Sequence, residues 1–147
     1  MRTPRIFLIV VLALTLSLHA IPAGAGTRAA RYRAKLYGFV NDYRAQHGRR
    51  PLQNNAKLST FAWNHSKRMA QARTLYHSTA LDSKARSLGA STWGENIGMG
   101  RSIFQVFVAW RNSAPHRANM LSGRFRRAGI GVVRAHGAFW ITLDLYG

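Results

Sequence analysis

The chain has 147 residues, a length that suits one small domain with a single core, and it contains no cysteine, which excludes a disulfide scaffold. Against 22 lysines and arginines stand only 4 acidic residues, Asp42, Asp82, Glu95 and Asp144, for a formal net charge of +18. Such a field favours polyanions as partners.

Residues 1–25 read as a secretory signal peptide: Arg2 and Arg5 precede the apolar run 6–18, and Ala23, Gly24 and Ala25 form an A-x-A cleavage step. The run falls short of the roughly 20 apolar residues that span a bilayer, so no stable transmembrane segment is expected after cleavage. Export directs the positive charge toward anionic wall polymers or lipid head groups rather than nucleic acid. Residues 26–35 are expected as an N-terminal lead-in, flexible over 26–31, and residues 36–147 as the domain.

Leu36, Phe39, Val40, Tyr43 and His47 recur at helical spacing and predict a first helix ended by Gly48. Leu58, Phe61, Ala62, His65, Met69 and Ala72 predict a second over 57–73, capped by Asn54 or Asn55. Asp82 and Gly89 bracket a short third helix over 83–88 as cap and terminator. Ser102 and Gln105 make an S-x-x-Q capping box before the stripe Ile103, Val106, Phe107 and Trp110, a fourth helix. Pro115 suits the first turn of a fifth, over 116–121, ended by Gly123.

The period then changes. Ile130, Val132 and Val133 predict a buried strand, and Phe139, Ile141, Leu143 and Leu145 alternate with Trp140, Thr142, Asp144 and Tyr146 in another. His136 and Gly137 sit where the hairpin turn belongs, and residues 92–100 suit a third, irregular strand whose glycines permit close backbone approach. The fold class is therefore α+β, an α-β-α sandwich with helices on both sides of a small antiparallel sheet.

Glu95, the only glutamate, sits in the glycine-rich WGENIGMG, and its candidate partners are His77 in YHST and His116 in SAPHRANML. Spacing alone does not join them: no local H-x-x-x-H pair exists, the glycines lack the Gly-Lys-Ser ending of a phosphate loop, and no G-x-S-x-G elbow makes Ser78 or Ser113 a nucleophile. His65 reads as a core histidine, and Asn41 and Arg44 as hydrogen-bond donors between elements.

The stretches VNDYRAQHGRRPLQNNAKLSTFAWNHSKRMA, YHST, WGENIGMG, AWRNSAPHRANML, RRAGIGVV and FWITLDLYG, in that order, resemble the CAP superfamily of cysteine-rich secretory, antigen 5 and pathogenesis-related proteins, and above all its cysteine-free bacterial SCP-like extracellular branch. The resemblance implies the same α-β-α sandwich with a central cleft lined by His77, Glu95 and His116. Many eukaryotic members add a second glutamate where this chain reads Trp110, Arg111, Asn112 and Ser113, so Asn112 or Ser113 is the neutral substitute expected there. Trp93, beside the G-E-N turn, is a candidate for stacking on a sugar or lipid.

Three readings of the triad stay open, one of them a structural polar cluster in which Glu95 accepts hydrogen bonds that join the glycine-rich strand to the second and fourth helices and no ligand is needed. His77, His116 and Glu95 could hold a divalent metal such as Zn²⁺ with an open position, or Glu95 could orient one imidazole by accepting its N–H. The expected function is a secreted or periplasmic binding protein for an envelope ligand such as a small lipid or glycan, its basic surface attracting anionic polymers. The alternative is a metal-assisted, peptidase-like hydrolase using the same cleft.

Overall fold

The computed structural model describes residues 23–147. Its elements are α1 (Ala23–Gln46), β1 (Gln53–Asn54), α2 (Ala56–Ala72), α3 (Leu81–Arg86), β2 (Trp93–Gly100), α4 (Ile103–Asn112), α5 (Ala114–Leu121), β3 (Arg127–Ala135) and β4 (Ala138–Tyr146). The apolar run 6–18 of the expected signal peptide lies outside the described residues. The stretch expected as a lead-in is helical, because α1 continues through it to Gln46. Alanines and arginines in that stretch are good helix formers, which the search for an apolar stripe overlooked.

The four strands run in the order β1-β3-β4-β2. β3, β4 and β2 pair antiparallel, while β1, a two-residue strand the sequence did not reveal, pairs parallel to β3. The hairpin between β3 and β4 turns on His136 and Gly137, both with positive φ (53° and 73°), the backbone of a type I′ turn. One helical layer, α1 with α4 and α5, covers the face that carries Ile130, Val132, Ile141 and Leu143. The other layer, α2 with α3, covers the face that carries Trp140 and Tyr146.

This double cover buries both faces of β4: every residue from Phe139 to Tyr146 is buried, including Thr142 and Asp144. A central strand between two helical layers has no solvent face, so its polar side chains must find partners inside. Thr142 does so at 2.9 Å from Ser66 Oγ on α2.

Helix ends follow local chemistry. Asn55 caps α2 by accepting from Leu58 N at 2.9 Å, and Ser102 caps α4 by accepting from Gln105 N at 3.0 Å. The Gln105 side chain accepts from Arg101 N instead of closing the box on Ser102. Asp82 is not a cap: α3 starts one residue before it, and its carboxylate accepts from Arg86 Nε at 2.6 Å, one turn along. Helix α5 ends at Leu121 with Ser122 as its cap residue, one place ahead of the expected Gly123. Asn41 and Arg44 join elements. Asn41 exchanges two bonds with the backbone of Leu52, and Arg44 donates to the carbonyls of Arg50, Met120, Ser122 and Phe125.

Helix α2 lies so close to β3 that a Cβ on Gly131 would fall 2.2 Å from the Ala62 carbonyl. Gly131→Ala should therefore push the helix off the sheet and destabilise the fold by about 1–3 kcal/mol or more. Gly38→Ala, on an exposed turn of α1 with nothing near the added methyl, should stabilise it by about 0.5–1 kcal/mol through helix propensity. Thermal melts of the two variants should move in opposite directions.

Candidate functional site

Glu95 lies on β2, directly opposite Asp144 of β4, on the face covered by α2. Its side chain is only 5 % exposed, whereas that of His77, in the loop after α2, is 66 % exposed. The His77 Nδ1–H donates to Glu95 Oε1 at 2.6 Å, and the Ser78 amide donates to the same oxygen at 3.0 Å. With Nδ1 committed as donor, the lone pair of His77 is on Nε2.

The second oxygen, Glu95 Oε2, is buried and receives no hydrogen bond from a group with a fixed proton. His65 Nε2 stands 3.7 Å away, too far for a bond, and donates instead to Tyr76 O at 2.8 Å. His65 Nδ1 is then the acceptor that faces Arg68. Asp144, opposite on β4, has two oxygens equally without partners and a fully buried side chain.

Magnitudes decide that Asp144 is protonated. Keeping an ordinary carboxyl protonated at pH 7 costs about 4 kcal/mol. Ionising it in the interior costs several kcal/mol of lost hydration, plus roughly 3 kcal/mol of repulsion from a carboxylate about 5 Å away across the strands. Burial first, then the Glu95 charge, then the hydrogen bond to Glu95 hold the Asp144 carboxyl well above the usual carboxylate range.

His116 comes from α5, on the opposite face of the sheet. Its Nδ1 is 2.8 Å from Ser113 Oγ, and its ring stacks on Trp110 at 6.5 Å between centroids. Partial burial first, then the neighbouring His77, lowers its pKa, so the ring is neutral at pH 7. The outer edge of β2 separates the layers that carry the two histidines, and hydrogen bonds with the α4–α5 layer fix that edge. Trp110 Nε1 donates to Ile97 O, Asn119 Nδ2 to Glu95 O, and Asn96 Nδ2 to His116 O. A side chain at Gly98 would clash with Val106 and Trp110, so the glycine lets β2 come this close.

The expected site residues therefore divide. His77 and Glu95 are bonded, and His116 is near enough to His77 for that ring to contribute to the lowered His116 pKa. Of the two candidates for the neutral substitute, Ser113 bonds the His116 ring, while Asn112 is exposed at the end of α4. Trp93 lies two residues from Glu95 on β2, packed with Leu58, Leu81 and Tyr146 and covered on its ring by the Arg86 guanidinium at 4.6 Å. It lines a separate cavity of about 490 Å³ with Asn119, Arg124 and Phe125.

The donor set does not fit a metal held by all three of His77, His116 and Glu95. Glu95 Oε1 already accepts from His77 and Ser78, Oε2 is buried, and among the described residues no three His, Cys, Asp or Glu side chains form a metal-holding group. The geometry is that of a carboxylate orienting an imidazole.

A profile of CAP, the cysteine-rich secretory protein family, matches residues 37–144. The chain belongs to the CAP family. It is 32 % identical over 123 residues to the uncharacterized protein YkwD of Bacillus subtilis (strain 168), a match covering 79 % of this chain and 48 % of that one. Similar solved structures include an extracellular protein containing an SCP domain from Bacillus anthracis, at TM-score 0.67 and 23 % identity, covering 77 % of this chain and 39 % of that one. An outer surface protein of Borrelia burgdorferi matches at TM-score 0.70 and 18 % identity, covering 80 % and 92 %. The chain thus spans about half the length of the curated relative, and the likeness to the solved structures establishes the CAP fold.

Sequence reasoning missed Asp144 as part of this CAP site. Its signal was a lone charge in an otherwise apolar strand expected between two layers of helices.

Because Asp144 holds its proton more tightly folded than unfolded, it favours the folded state most below pH 4, and that advantage falls as pH rises. His116, with its lowered pKa, acts in the other direction and weakens the fold as pH drops below the ordinary imidazole range. Comparing Asp144→Asn with the parent at each pH cancels the His116 contribution. The amide keeps a donor for Glu95 without an ionisable proton, so urea unfolding should find the variant stabler than the parent at pH 8, by about 1 kcal/mol or more. The gap should shrink toward pH 4.

Proposed function

We propose that this is an exported CAP-domain protein that binds a small lipid or glycan of the cell envelope against His77 and His116, and that its basic surface keeps it close to anionic polymers. One observation carries the reading: Glu95 fixes His77 through Nδ1 while the ring stays open to solvent. A buried carboxylate that aligns an exposed imidazole prepares a hydrogen-bonding group for a ligand, and the neutral His116 adds a second polar ring. The extracellular and outer-surface relatives fit an exported protein. No helix among the described residues is long and apolar enough to cross a membrane.

The hydrolase alternative asks Glu95 to activate water. That role finds no support in a carboxylate whose Oε1 already accepts from His77 and Ser78 and whose Oε2 is buried.

Histidine-ring NMR tests the cleft with two probes, an N-acetylglucosamine trimer and a short-chain phosphatidylglycerol. One of them should shift the His77 and His116 signals saturably, and Glu95→Gln should weaken that binding about tenfold or more, since a hydrogen bond to a charged group is worth about 1.5–3 kcal/mol. If neither probe perturbs either ring, the cleft reading fails.

Sedimentation with isolated anionic wall polymer tests the charge field. Association should be lost in roughly 1 M NaCl, where screening acts within about 3 Å, and it should survive His116→Ala and Glu95→Gln. Binding that resists that salt would overturn the electrostatic part of the reading.

A further inference from the structure

Away from the cleft, at the β1 side of the sheet, a cavity of about 480 Å³ is lined by Arg44, Arg49, Arg50, Arg126 and Arg127 with Gln53 and Phe125. Its scaffold is one buried cation. Arg44 is 1 % exposed, and its guanidinium donates to Arg50 O at 2.8 Å, Met120 O at 2.6 Å, Ser122 O at 3.0 Å and Phe125 O at 3.4 Å. These bonds tie the turn after α1 to the segment that leads into β3, so the two lips of the cavity are held together by the protein itself.

Each lip then presents two exposed arginines, Arg49 and Arg50 on one and Arg126 and Arg127 on the other. No carboxylate lines the cavity, and among the described residues Arg86 is the only arginine in an ion pair. Arg44 itself donates only to backbone carbonyls, which carry no net charge. Gathering five guanidiniums around one concavity works against folding unless an anion completes it. The planar fork of arginine matches the oxygens of phosphate better than any other side chain does, and the volume falls in the range of small-ligand sites.

We propose that this cavity is a phosphate-ester site, which seats a phosphate group of an envelope polymer or of a lipid head group between Arg49 and Arg50 on one side and Arg126 and Arg127 on the other. The proposal deepens the electrostatic half of the function proposed above and rests on it. A diffuse field gives loose association that depends only on net charge, whereas a built cavity gives stoichiometric, saturable binding that depends on particular arginines.

The test is calorimetric titration of the exported protein with inorganic pyrophosphate at about 50 mM NaCl, where exposed charges are only partly screened. Two double variants remove equal charge: Arg49→Gln with Arg126→Gln inside the cavity, and Arg73→Gln with Arg101→Gln outside it. All four side chains are exposed, and a thermal melt checks that each variant folds. Pyrophosphate should bind the parent with a stoichiometry near one, about tenfold or more weaker in the cavity pair, which loses charge-assisted hydrogen bonds, and within about twofold of the parent in the outside pair.

Two further probes separate the sources: soluble glycerol phosphate, and phosphatidylcholine vesicles with or without phosphatidylglycerol. Retention only on the phosphatidylglycerol vesicles, lost in the cavity pair, supports the site with a lipid head group as ligand. Competition by glycerol phosphate without vesicle retention supports it with a soluble or polymer phosphate. Equal weakening in both pairs, or no saturable pyrophosphate binding, overturns the site and leaves the diffuse field standing.

Discussion

β4 has water on neither side, and much of the arrangement of the site follows from that. A central strand between two helical layers can carry polar side chains only where each meets a partner in the interior. Thr142 meets Ser66, and Asp144 meets Glu95. The second pair is the consequential one. By keeping a proton, Asp144 lets the facing strand carry a single negative charge in a buried position, and that charge is aimed outward at His77. Without its proton the pair would place two like charges across adjacent strands, and one of them would have to leave the core.

The outer edge of β2 is built by similar means from the other layer. Trp110, Asn119 and Asn96 make side-chain bonds along it, and His116 stacks on the same Trp110 that ties Ile97 to α4. The two histidines thus belong to different helical layers, each positioned by contacts its own layer makes with one strand. Ordering that strand orders both. The loop that carries His77 has a further anchor, the bond from buried His65 to Tyr76 O.

Much of this was legible in the residues. The stripe Ile103, Val106, Phe107 and Trp110 with its serine cap, the hairpin at His136 and Gly137, and the order of the six motifs each had a local cause that survives folding. What stayed hidden was set by distant parts of the chain. β1 is two residues long and exists because β3 passes beside it. The position of Asp144 opposite Glu95 was hidden because nothing in FWITLDLYG or WGENIGMG fixes the register between the two strands. Asp82 looked like a cap because the pairing with Arg86, one turn on, competes with capping for the same carboxylate. Helix α1 extends through residues whose helical preference is real but carries no amphipathic stripe.

The placement of the acids also governs how copies of the protein treat one another. Glu95 and Asp144 are inside the fold and Asp82 is held by Arg86, so of the four acidic residues Asp42 alone is exposed and outside any ion pair among the described residues. The exterior is close to uniformly positive. On the anionic polymer proposed as partner, neighbouring molecules would repel one another through the solvent, over a distance set by the ionic strength. Occupancy along such a strand would then be anti-cooperative, with the copies spaced out as separate beads rather than condensed into a continuous coat.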